Sequence, residues 1–348
     1  MQFWDWQSDA RRSTRWLVLL FSLCVLLSLA AVHGGLVLAW KLSMAQFGLD
    51  YPRGFVLSNV GVTLLMIIGG WWLTHEQLSQ GGQQLARTIG AREARPAASL
   101  AEQQLCNIVQ EMSVAAAMRP PQVVVLARAE AINAFAAGWT PADAMLAVTQ
   151  GALDYLTREE MQALVAHELS HLKEGDTRLN MHLAAMVGGL ELLYNFGQSL
   201  RERAGLLGAW FGLAVMAAGF VGWLSGRMLK AAVSRQREYL ADARAVQWTR
   251  SRDALGGVLR KVLTQREQAQ ALYGGWQDDH RSHTGLYHPL VQHMLLAETP
   301  DSSQLEHWLD AHPPLPERVR RIYGRPMPGL PLRSAAAPAA SGAFSTRP

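Results

Sequence analysis

The stretch "VAHELSHLKEGD", residues 165–176, decides how the rest of the chain is read. Two histidines stand four positions apart, so on a helix His167 and His171 share a face and can direct ring nitrogens at one ion. Glu168, directly after the first histidine, is placed to take a proton from a water activated there. Two imidazoles, a carboxylate and an open position make a zinc donor set. The helix itself is signalled locally. Thr157 followed by Glu160 makes a capping box; Met161, Leu164, Val165, Leu169 and Leu172 trace an apolar stripe; Gly175 is a stop. The competing reading is an amphipathic helix whose histidines merely sit at a polar boundary.

A third ligand must come from an acid or histidine on another helix. Glu238, in "SRQREYLADARAV" at 234–246, fits that requirement. Asp242 falls one turn later on the same face, where it could accept the N–H of a ligating histidine and fix its tautomer. Taken alone, the two acids read more readily as a solvated face among Arg235, Arg237 and Arg244.

Working outward, the composition is short of charge, with 49% hydrophobic and 17% charged residues, which points to membrane segments. Leu17 to Trp40 carries no Asp, Glu, Lys or Arg and spans about 36 Å as a helix, enough for a hydrocarbon core of about 30 Å. Phe55 to Leu73 is a second such run, with Trp16, Trp40, Trp71 and Trp72 at the edges. A cleaved signal peptide is the alternative for the first run, but its apolar stretch is too long and a second span follows. Arg11, Arg12 and Arg15 precede the hairpin and Arg87, Arg92 and Arg95 follow it, against Lys41 and Arg53 in the loop, which favours cytoplasmic flanks. The net charge of +4 is therefore a topology signal, and no aromatic-basic module supports nucleic-acid binding. Cys24 and Cys106 lie at different depths and form no disulfide framework or metal motif.

Ala204 to Gly226 is a third uncharged run, whereas Leu179 to Leu200 includes His182, Glu191 and Asn195. If Glu238 joins the two histidines on one ion, the chain crosses twice between 179 and 226 or not at all, and two crossings are the expectation. Gly208/Gly212 and Gly222/Gly226 are spaced for close helix packing. Elsewhere, Leu100, Leu105, Ile108, Val109 and Met112 recur at helical spacing, and "QVVVL" (122–126) and "AMLAVT" (144–149) read as strands. The expected fold is mainly α with a small β-sheet. Its parts are a transmembrane hairpin at 1–75, a linker at 76–99, a soluble domain carrying the candidate zinc site at 100–326 and interrupted by a transmembrane hairpin at 179–226, and a Pro/Ala/Ser-rich disordered tail at 327–348. His280, His283, His288 and His293 are irregularly spaced and read as a variable loop.

"NAFAAG" (133–138), "HELSH" with "GD" soon after, "SRQREYLADA" and "HPPLPERV" stand in the order found in HtpX-type membrane zinc metallopeptidases, relatives of the CAAX prenyl proteases. The chain resembles that family from about residue 100 to 323. The resemblance implies a gluzincin-type domain with one Zn2+ per chain, held by His167, His171 and Glu238, with Glu168 as general base and acid and Asp242 behind the ligands. It further implies that Asn133 lies on an edge strand that binds extended substrate, that His312 steadies the oxyanion, and that Arg318 organises the nearby carboxylates. Unfolded or membrane polypeptides would be the substrates, and a cytoplasmic site on a multi-pass bacterial inner-membrane protein serving quality control would be the setting. A selective processing peptidase and a catalytically silent adaptor or holdase are the alternatives.

Overall fold

The signals at Thr157 and Gly175 act as read. Thr157 Oγ1 accepts from Glu160 N and the Glu160 carboxylate accepts from Thr157 N at 2.8 Å, while Gly175 adopts a left-handed φ of 74° that closes the helix. The computed structural model that shows this describes residues 3–43, 47–79, 81–203, 205–273, 295–296 and 312–332. His280, His283, His288, His293 and tail residues 333–348 lie outside the described residues.

In chain order the elements are α1 (Phe3–Ser43), α2 (Phe55–Ser79), α3 (Gly81–Thr88), β1 (Arg92–Glu93), α4 (Leu100–Ala115), β2 (Gln122–Leu126), β3 (Ala134–Ala137) and β4 (Met145–Thr149). There follow α5 (Gln150–Tyr155), α6 (Arg158–Glu174), α7 (Asp176–Arg203), α8 (Gly205–Thr249), α9 (Arg252–Tyr273) and α10 (Leu315–Tyr323). The fold is mostly helical with one small mixed sheet. Two compact units divide the chain.

The first unit takes residues 1–79 and 182–233. Among the described residues, Val18–Leu38 and Phe55–Ser79 are long and apolar enough to cross a membrane. Their leucines are widely exposed, Leu57 at 79% and Leu65 at 71%, a surface suited to lipid rather than water. Part of the run at 204–226 lies outside the described residues. Cys24, Ile67 and Leu190 form a small apolar cluster. Glycine lets the helices approach closely, since a Cβ at Gly189 would lie 2.5 Å from Ile67 O and one at Gly212 2.5 Å from Gly197 O.

The second unit takes residues 80–181 and 234–348. Its four strands run in the order β1-β2-β4-β3, with β2 and β4 parallel and both outer pairs antiparallel. Among the described residues, the "NAFAAG" segment thus supplies an edge strand, β3. Leu105, Ile108 and Met112 of α4, Leu164, Val165 and Leu169 of α6, and Val258, Leu259 and Val262 of α9 build the core with Val125, Leu146 and Val148 of the sheet. α6, carrying the histidines, is therefore held on several sides.

Of the stretches read as linker and tail, residues 81–99 and 327–332 are ordered parts of this unit. In the Gly/Gln/Arg-rich stretch, α3 buries Leu85 and Ala86, and the Arg92 guanidinium donates to both oxygens of Glu102 at 2.9 and 2.7 Å. Met327 and Leu332 pack against the core, Leu330 N donates to Arg260 O at 3.2 Å, and Arg260 Nε donates to Pro328 O at 2.6 Å.

A buried ion pair anchors the start of α6 to α9. Lys261 Nζ donates to Glu160 at 2.6 Å and to Tyr155 O at 2.7 Å. Removing one partner of such a pair leaves the other buried without its counter-charge, so Lys261→Met is expected to cost about 3 kcal/mol, read as lowered thermal stability in detergent.

Candidate metal centre

Three helices and one short segment bring the predicted residues together. α6 buries His167, Glu168 and His171 on its core side, α8 brings Glu238 and Asp242 one turn apart, α10 brings Arg318, and His312 precedes α10. His167 Nε2 and His171 Nε2 lie 3.3 Å apart, with the rings nearly perpendicular at 83°. Glu238 faces both, Oε2 at 3.6 Å from His167 Nε2 and Oε1 at 3.4 Å from His171 Nε2. One ligand atom from each of these three residues falls within 4.8 Å of the others.

This arrangement fits a divalent cation. Two imidazole nitrogens and a carboxylate converge in a buried place, where lone pairs facing one another are costly unless a positive charge lies between them. Glu238 Oε2 accepts no hydrogen bond, although Arg318 stands 3.2 Å away. Nitrogen and oxygen donors of this kind suit zinc.

Behind the ligands lies a ring of acids. His167 Nδ1 stands 3.1 Å from Asp242 Oδ1, leaving Nε2 turned to the centre. Asp242 in turn accepts a fork from Arg318, Nε at 2.9 Å and a terminal nitrogen at 2.7 Å. His171 Nδ1 stands 3.0 Å from Asp176 Oδ2, and Asp176 also pairs with Arg237. Sequence reasoning gave Asp176 no role, although it is the Asp of "GD". The signal was the stop at Gly175, whose left-handed turn starts α7 and swings Asp176 back towards His171.

Electrostatics separate the carboxylates. Burial raises the Glu168 carboxyl above its ordinary range, and His167 and His171 oppose this only in part. Burial would also raise Glu238, but His312 and Arg318 hold it well below the usual carboxylate value. Asp242 is lowered in the same way, burial being outweighed by Arg318 and His167. Arg318 is fully buried, and Asp242 and Glu238 raise its pKa against the cost of that burial. The centre thus holds one carboxyl poised to take a proton and two fixed as anions.

His312 Nδ1 stands 3.3 Å from Glu238 Oε1, and its Nε2, also buried, makes no hydrogen bond. Asn133 is also buried. It immediately precedes β3, with its N–H donating to Thr149 Oγ1 and its Oδ1 accepting from Ala134 N at 3.0 Å.

Comparison with known proteins gives a consistent picture. The sequence pattern of Peptidase family M48 matches residues 99–325. A protein named Protease HtpX homolog from Dictyoglomus thermophilum is 33% identical over 226 residues, covering 63% of this chain and 68% of that one. Its namesake from Caldanaerobacter subterraneus subsp. tengcongensis is 29% identical over 332 residues, 92% of this chain and 96% of the relative. A third, from Syntrophobacter fumaroxidans, is 27% identical and covers 78% and 89%. No solved structure matches.

Proposed function

We propose, since the chain belongs to peptidase family M48 and to its HtpX type, that this metallopeptidase cuts misfolded or membrane-associated polypeptides at the centre formed by His167, His171 and Glu238. The observation that carries the reading is the convergence of those three side chains around one buried point with Glu168 beside it. His167, His171 and Glu238 would hold one Zn2+ per chain there. When bound, zinc supplies Lewis-acid polarisation of the scissile carbonyl and makes water a better nucleophile near neutral pH.

The chain's own groups do the rest. Glu168 accepts the proton of the attacking water, keeps it in a buried setting, and delivers it to the departing amine. His312 offers Nε2 as a hydrogen-bond donor to the oxyanion, in a place where preorganised donors count most. Asp242 and Asp176 hold the Nδ1 sides of the histidines, and Arg318 holds Asp242 and Glu238 in register. An extended substrate adds along β3, the outer strand among the described residues, with Asn133 just before it, so recognition reads backbone more than side chains.

A multi-pass bacterial inner-membrane setting with a cytoplasmic site is supported by the two apolar helices and the basic flanks. Crossing of 179–226 as a second hairpin keeps all ligands on one side. Quality control suits an enzyme that reads backbone. The test is metal removal: dialysis against a zinc chelator should abolish casein cleavage by detergent-purified protein, and stoichiometric zinc should restore it. Full activity in demonstrably zinc-free protein would overturn the reading.

A further inference from the structure

The two ligand histidines are held from behind by unequal means. His167 Nδ1 faces Asp242, which takes a two-pronged contact from Arg318, and this line is buried throughout, with the Arg318 side chain 0% exposed. His171 Nδ1 faces Asp176, which pairs with Arg237, and this line runs outward to an Arg237 side chain that is 28% exposed. Asp176 is itself set by its neighbour, since it opens α7 directly after the left-handed Gly175.

Exposure decides the strength of the two lines. A buried fork between guanidinium and carboxylate fixes geometry and is costly to break. An ion pair with one partly exposed partner is screened by water and gives up less when it opens. His171 is therefore the ligand whose support opens most readily. Its ring is also the most exposed of the three ligand side chains, at 11% against 1% for His167 and 6% for Glu238. Arg237 precedes Glu238 in the chain, so one stretch of α8 serves two ligands, Glu238 directly and His171 through Asp176.

We infer that Arg237 is a positioning residue for the metal centre: acting through Asp176, it holds the His171 ring in place, and this line sets how long the bound ion stays. Retention of the ion is thus governed from the outer side of the centre, without opening of the core around His167 and Arg318. The inference rests on the proposed zinc set of His167, His171 and Glu238.

Zinc release tests it. Full-length, zinc-loaded protein in detergent is mixed with an excess of a chelator that changes colour on binding zinc, at fixed pH and below the unfolding temperature of every variant. Arg237→Gln is expected to release zinc about tenfold faster, as when a group behind a ligating histidine is lost, and Arg237→Lys to recover part of that change. Asp176→Asn should also release faster, and adding Arg237→Gln to it should change little, because the arginine acts through the aspartate. Lys261→Met, which weakens the fold at the start of α6, should release at the wild-type rate. Unchanged release from Arg237→Gln, an undiminished effect of Arg237→Gln in the Asp176→Asn background, or equal acceleration by Lys261→Met would each overturn the inference. Wild-type protein that takes up no zinc would instead remove the metal reading on which it rests.

Discussion

Replacing Glu168 by glutamine is expected to lower casein hydrolysis about 1,000-fold while leaving zinc content unchanged, within the range seen when a positioned acid–base group is lost. Glutamine keeps the size of the side chain and its ability to accept a hydrogen bond, but it cannot carry a proton from water to amine. Because Glu168 is buried, no solvent group can substitute for it. Its raised pKa follows from that burial and suits a group that must first accept a proton and then release it. Zinc content, substrate affinity and thermal stability of the variant serve as controls. Comparable turnover by Glu168→Gln would assign the proton transfer elsewhere.

The second large effect is expected at Arg318. Its side chain bridges α10 to α8 through a two-pronged contact with Asp242, reaches Glu238, and fixes Leu296 O. Arg318→Met would leave two buried carboxylates and a buried carbonyl short of a partner, costing about 5 kcal/mol, the upper end for breaking a buried pair. Arg318→Lys would restore the charge without the planar fork and should recover only part of that stability. Thermal unfolding in detergent reads both variants. A melting temperature equal to wild type for Arg318→Met would mean that Asp242 and Glu238 do not depend on it.

Local chemistry was legible in the sequence where the partners are close along the chain. The capping box at Thr157, the stop at Gly175 and the shared face of His167 and His171 all lie within one helix, and their spacing alone specifies them. Glu238 and Asp242 were legible as a pair on one face, but the partner of that face needed more than spacing. What the sequence hid were contacts whose signal resembled flexibility. Gly81 and Gly82 suggested a linker, yet a Cβ at Gly82 would lie 2.7 Å from Asp143 O, so the glycine there marks a close approach. Met327 to Leu332 looked like the start of a disordered tail, yet it is tied to α9 through its own backbone groups, Leu330 N donating to Arg260 O and Pro328 O accepting from Arg260 Nε, which leave no compositional trace. Leu296 was hidden for the same reason, since its N–H donates to Ala134 O and its C=O accepts from Arg318 while its side chain fills the core.

The central claim is that one cation is shared by two imidazoles of α6 and a carboxylate of α8. Anomalous diffraction at the zinc edge, from crystals of zinc-replete detergent-purified protein, tests it most directly. The account predicts one strong peak per chain, within coordination distance of His167 Nε2, His171 Nε2 and a Glu238 oxygen. An empty map at that point, or a peak held by other side chains while Glu238 turns away, would contradict it.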